Sequence, residues 1–190
     1  MHGFKFPTQN MNLTQTVEVA QVPANALIAK ELNQASFYDC YSLTVPSHFY
    51  TSALDLYLKT VRQTPVWFNF LMTLRNKVVK CFGLKDLGGI NQFNRQKSAS
   101  QYELNDRVGI FSMIANSTQE VLLADNDKHL RVVLSVFQHP NTNNSPLTTY
   151  SVTTVVHVHN WWGKLYLLPV KPMHQFMVPI VFAKALQIQK

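Results

Sequence analysis

Chemistry in this chain has to start from its histidines and the carboxylates near them. Asp127 and His129 stand two residues apart in the stretch 124–131, Ala-Asp-Asn-Asp-Lys-His-Leu-Arg, a charged turn between two apolar runs. Residues two apart share one side of a strand, so the carboxylate can orient the imidazole as an acid–base pair. The same two side chains also suit a plainer task, an aspartate closing the turn between two strands. No nucleophile adjoins them, and the plainer task is favoured. His157 and His159 repeat the spacing, which is that of metal ligands, with His174 or Glu120 as a third donor. Zinc needs three converging side chains and spacing alone offers two, so neither a metal nor a cofactor is expected.

Other polar groups sit where apolar ones would be expected. Arg75 and Asn76 interrupt an apolar helical pattern, and a buried arginine needs a carboxylate, such as Asp127 or Glu120, or a ligand anion. Trp161, Trp162 and Tyr166 gather around a turn, where they either stack on a ligand or cap the end of a sheet. His174 opens the last predicted helix and faces either neighbouring end groups or the mouth of a cavity. There is no phosphate-binding loop and no serine–histidine–aspartate spacing. With only ten acidic residues, two-carboxylate chemistry has few candidates.

Elements must hold these groups. Residues 36–45 (Phe37, Tyr38, Tyr41, Leu43, Val45) are β-rich and stop at Pro46. A helix is predicted after Ser52, which has Asp55 three residues on, with Leu54, Tyr57, Leu58 and Val61 on one face. A second begins at Thr64-Pro65 and carries Trp67, Phe70, Leu71, Leu74, Val78 and Phe82 to Gly83. Residues 85–107 are polar and aperiodic, a loop or lid with room for a short helix. Five β-like runs follow, at 108–115, 120–124, 130–138, 148–158 and 164–170. Trp161-Trp162-Gly163 is the expected hairpin between the last two. A final helix is predicted over 172–187, kinked at Pro179. Short links imply antiparallel neighbours. Leu130, Val132, Leu134 and Val136 then lie on one face, and Val133 and Phe137 on the other. The second face must be covered by the N-terminal arm or a second subunit.

Composition bounds the rest. With 190 residues, 46% hydrophobic and 14% charged, the chain can bury one sizeable core without staples. The two cysteines, Cys40 and Cys81, give no disulfide framework and suit a reducing compartment. No secretory signal is visible in residues 1–10, and the apolar tract 176–186 is too short to cross a bilayer, so a cytoplasmic protein is expected. The net charge of +7 is spread over Lys59, Arg62, Arg75, Lys77, Lys80, Lys85, Arg95 and Lys97 without a polybasic run. That reads as a solvated basic surface, with no nucleic-acid or membrane signal.

The order of strand, two helices, antiparallel strands and a long C-terminal helix resembles the helix-grip fold of the START and birch-pollen-allergen-like (SRPBCC) superfamily. The motifs resemble, more narrowly, a bacterial family known as domain of unknown function 2867. They are Pro65-Val66-Trp67, Leu74-Arg75-Asn76 to Phe82-Gly83-Leu84, Val108-Gly109-Ile110-Phe111 and Glu120-Val121-Leu122-Leu123. Asp127-Lys128-His129-Leu130, Thr154-Val155 through His159-Asn160, residues 163–166 and Pro172-Met173-His174 complete the series. Met173 stands where that family more often has phenylalanine, and Gln175 where it has arginine or lysine. The family occurs alone and fused behind a nucleotide-binding epimerase-like domain; this chain has no glycine-rich dinucleotide fingerprint. The resemblance supplies a fold and no catalytic residues.

The expected architecture is α+β: an arm over 1–34, then one helix-grip domain over 35–190, its curved antiparallel sheet wrapped around the long C-terminal helix. The expected function is binding of a small, largely apolar ligand between sheet and helix, with Arg75, His129, Asn160, Trp162, Tyr166 and His174 around it. One alternative is an enzyme of the same fold, a cyclase, hydrolase or isomerase using Asp127 and His129. The other is an interaction domain with a filled core. A homo-oligomer is compatible with each.

Overall fold

The computed structural model describes residues 17–62, 97–141 and 145–185. The predicted second helix, Arg75 and Asn76 within it, and most of the 85–107 loop lie outside those residues. Seven strands form one antiparallel sheet: β1 (Val17–Val19), β2 (Phe37–Pro46), β3 (Arg107–Val108), β4 (Phe111–Asn116), β5 (Glu120–Asn126), β6 (Leu130–Gln138) and β7 (Leu147–Val158). Their order is β1-β2-β7-β6-β5-β4-β3. Helix α1 (Ala53–Arg62) follows β2, and helix α2 (Trp161–Ala185) follows β7. The chain is therefore an α+β protein with a seven-stranded antiparallel sheet and a C-terminal helix.

Alternation along the strands gives the sheet two different faces. Leu43 and Val45 of β2, Val121 and Leu123 of β5, Val136 of β6, and Tyr150 and Val152 of β7 point to one side. There they meet Leu54, Leu56, Tyr57, Leu58 and Val61 of α1 and Phe182 of α2. Helix α1 starts where the sequence predicts, since the Ser52 hydroxyl accepts the Asp55 amide at 3.1 Å. The Asp55 carboxylate reaches back one residue further than a capping box requires, to the Thr51 amide at 3.1 Å.

The opposite face carries Leu122, Val133, Phe137 and Val155. Residues 20–35 cover it, with Ala26 and Ile28 buried against those four. A short 3-10 helix at Leu27–Leu32 is the centre of this cover. Ile28 is fully buried, and such a side chain contributes about 2–3 kcal/mol.

Three expected elements differ. The run 108–115 is two strands, because Gly109, at φ 67°, turns the chain back between β3 and β4. The 164–170 run is helical, and Trp161-Trp162-Gly163 forms no hairpin but the first turn of α2, which therefore starts eleven residues before the expected Pro172. An apolar run such as Leu165-Tyr166-Leu167-Leu168 fits either geometry, and the cap decides: Asn160 Oδ1 accepts the Gly163 amide at 3.2 Å. Pro169, Pro172 and Pro179 all lie inside this helix. Each removes one helical hydrogen bond four residues upstream. For Pro179 that upstream group is the Gln175 carbonyl, and the Tyr41 hydroxyl of β2 donates to it instead, at 3.3 Å. The sheet thus satisfies the acceptor the proline frees.

Candidate functional site

The turn between β5 and β6 meets the start of α2 at one end of the sheet. Asp127 Oδ1 accepts the amides of His129 at 2.7 Å and Leu130 at 3.0 Å. The carboxylate is thus spent on closing its own turn, the plainer of the two tasks considered above. The His129 imidazole turns instead to Asn160, with Nδ1 at 3.0 Å from Oδ1. Asn160 also donates to the Lys128 carbonyl at 2.9 Å, and the His129 carbonyl accepts the His159 amide at 2.8 Å. Gly163 packs against that same His129 carbonyl so closely that an added Cβ would overlap it and would stand 2.8 Å from Val158. Small size at Gly163 is what lets α2 leave the sheet here. His129 is buried, and its Nε2 has no partner among the described residues.

The other histidines separate. His159 Nε2 lies 3.1 Å from Asn126 Oδ1. His157 lies on the arm-covered face, with Nε2 at 3.5 Å from the Glu31 carboxylate. Glu31 itself forms a two-point pair with Arg131, the NH2–Oε1 distance being 3.0 Å. The Arg131 hydrogen bond holds the Glu31 carboxyl below its ordinary range. Glu120, the other candidate third ligand, is buried under the arm. Its carboxylate accepts the amides of Leu27 and of Ile28 (3.1 Å) and the Ser135 hydroxyl (2.7 Å). Among the described residues no group of three or more histidine, cysteine or acidic side chains converges as a metal site would.

A carboxylate–imidazole pair does exist, in a place the sequence does not suggest. Asp39 of β2 and His174 of α2 meet with Oδ2 and Nδ1 2.9 Å apart, 135 residues apart in the chain. The Phe37 ring meets the imidazole edge-on, at a centroid distance of 6.1 Å. The Asp39 side chain is 9% exposed, and its second oxygen is buried without a partner among the described residues. Alternation could have placed Asp39 and Tyr41 on the helical side of β2, but no sequence signal pairs either with α2. Trp162 stacks on Trp161 at 4.1 Å on the outside of α2, and Tyr166 is half-buried one turn later.

Deeper on the helical side, four tyrosines enter one apolar core: Tyr50, Tyr57, Tyr102 and Tyr150. Tyr50 and Tyr150 meet edge to face at 6.1 Å, and burial pushes both hydroxyls up to about 12. Burial also pushes up Tyr57 on α1 and Tyr102, which follows a short 3-10 turn at Ala99–Gln101. The hydroxyls of Tyr57 and Tyr102 are buried and have no hydrogen-bond partner among the described residues. An unpaired buried hydroxyl costs about 1–3 kcal/mol. Two such groups in one core are what the sequence reading misses; the signal available was four phenols at core positions where phenylalanine would pack as well.

A family model described as "Protein of unknown function (DUF2867)" matches residues 31–181. No curated protein and no solved structure matches the chain. The matched span runs from Glu31 in the arm, through β2 to β7, into α2 past His174 and Met177. It therefore takes in both the Asp39–His174 seam and the tyrosine core, and the chain belongs to the DUF2867 family.

Proposed function

We propose that this protein is a small-molecule binding domain of helix-grip type. Its ligand is largely apolar, lies on the helical side of the sheet, and offers a hydrogen-bond acceptor to the Tyr57 and Tyr102 hydroxyls. The observation that carries this reading is the pair of buried, unpartnered phenols. A core selected only for packing would shed those hydroxyls, since removing them costs nothing and relieves a desolvation penalty. A carbonyl or carboxylate oxygen on the ligand satisfies both and is held by an apolar surround. The Asp39–His174 pair lies between sheet and helix on the same side, where its orphan oxygen accepts from a ligand N–H or O–H. Of the rim expected from sequence, this reading retains His174 and gives His129 and Asn160 to the turn.

One observation favours a second reading, an enzyme. A carboxylate 2.9 Å from an imidazole is a general-base arrangement, and it belongs to Asp39 and His174 rather than to Asp127 and His129.

Native mass spectrometry of the purified protein, followed by denaturing extraction, tests the binding reading. The expected result is a copurified apolar molecule that is lost in the Tyr57→Phe, Tyr102→Phe double variant and kept in Asp127→Asn. A bare mass, together with no thermal shift across a library of apolar carboxylates and ketones, would refute it.

A further inference from the structure

The first sixteen residues of α2 bury only Gly163, although this stretch is among the most apolar in the chain. Trp161, Trp162, Leu165, Leu168, Met173 and Phe176 are all exposed, Leu168 by 70% and Phe176 by 68%. At 100° per residue these six fall within an arc of roughly 140°, on the side away from the buried Gly163 and the half-buried Leu167 and His174. This is the reverse of an ordinary surface helix, which turns its apolar stripe inward. The stripe became visible only once 161–185 proved to be one helix, since as strand and hairpin its members would scatter over two faces.

Charge selects what covers the stripe. Helix α2 contains no acidic residue. Lys164 and Lys171 are exposed and seven residues apart, hence on one flank of the stripe, the Lys171 ammonium lying 5.3 Å from the Phe37 ring, and Lys128 is exposed at the tryptophan end. The chain as a whole carries +7. A second copy packed on this helix would bring like charges together with no acid on α2 to pair them. Pro169 and Pro172 add a second argument. They deprive the carbonyls of Leu165 and Leu168, both on the stripe, of their usual helical donors. In a dry protein interface those carbonyls would be costly, whereas a hydrated headgroup layer supplies donors. Tryptophan pairs with flanking lysines are the side chains such a layer accommodates.

We infer that α2 docks this protein on an anionic lipid surface, lying in the headgroup layer with Trp161, Leu165, Leu168 and Phe176 inserted and Lys128, Lys164 and Lys171 on the phosphates. No helix among the described residues is long and apolar enough to cross a membrane, so the contact is peripheral. The inference is independent of the interior ligand.

The test is cosedimentation of the full chain with phosphatidylcholine vesicles, with and without phosphatidylserine. Binding is expected only to the anionic vesicles, weakening as salt rises. Leu168→Asp and Phe176→Asp should each cut binding about tenfold, the worth of one large apolar side chain, while both variants keep the wild-type melting temperature because these positions are exposed. Lys164→Glu with Lys171→Glu should abolish the preference for phosphatidylserine. Equal binding by all variants, or none by the wild type, overturns the inference. So does a concentration-dependent dimer that Leu168→Asp dissociates, which would assign the stripe to a second copy.

Discussion

On the arm-covered face of the sheet the Glu120 carboxylate accepts three hydrogen bonds, and Glu31 engages Arg131 at two points. On the helical face the hydroxyls of Tyr57 and Tyr102 and one oxygen of Asp39 are buried with no partner among the described residues. Both faces bury polar groups beneath apolar ones, but the arm-covered face ties its carboxylates into fasteners and, among the described residues, leaves only His157 Nε2 without a hydrogen bond, whereas the helical face pairs the Tyr41 hydroxyl and leaves two phenols and a carboxylate oxygen open. A fastener fixes the arm to the sheet, because stripping water from a carboxylate is repaid only by full pairing. Open groups store a penalty that a bound molecule can relieve. On the proposed function, structure maintenance and ligand capture fall on opposite sides of one sheet.

Substitutions separate the two sides, and the largest effect belongs to Glu120. Glu120→Ala leaves the Leu27 and Ile28 amides and the Ser135 hydroxyl without their acceptor. A loss of about 3 kcal/mol or more is expected in urea unfolding, with the arm becoming sensitive to protease. A loss under about 1 kcal/mol would mean that the arm is not fastened there. Gly163→Ala comes next. Its methyl meets the His129 carbonyl and Val158, so about 2–3 kcal/mol of overpacking is expected, read as a lowered melting temperature.

The Glu31–Arg131 pair is partly exposed and worth about 1 kcal/mol. Its acid dependence has a definite sign. The folded carboxyl titrates below its ordinary value of 4.5, so the contribution is present above that pH and is lost as pH falls through the lower folded value. Wild type and Glu31→Gln should therefore differ in stability at neutral pH and converge as pH falls through the lowered Glu31 value. A difference that persists at lower pH would assign the effect to something other than the ion pair.

How legible this was from sequence depended on the range of the signal. Local signals held: Ser52 caps α1, Leu54, Tyr57, Leu58 and Val61 are buried, and alternation gave both faces of β6. Where two conformations suit one composition the reading failed, as at residues 164–170. The arbiter there was the Asn160 side chain, and the three prolines in the helix argued the other way. Gly109 carried a readable turn signal that the surrounding β-rich residues masked. The pairing of Asp39 with His174 spans 135 residues, and no spacing rule reaches that far. Asp127 and His129 are adjacent enough to suggest chemistry and turn out to be joined through backbone amides. Unpaired hydroxyls are a property of the packed core, invisible until the neighbours of Tyr57 and Tyr102 are known.

The most direct test of the contrast between the faces is the stability of Tyr57→Phe and Tyr102→Phe, measured by urea unfolding after denaturing extraction and refolding to remove any ligand. If the phenols are open, ligand-free stability should be unchanged or raised by up to about 1 kcal/mol in each variant. A loss of about 1–2 kcal/mol in either would contradict the account, because it would mean that the hydroxyl already has a partner in the folded protein.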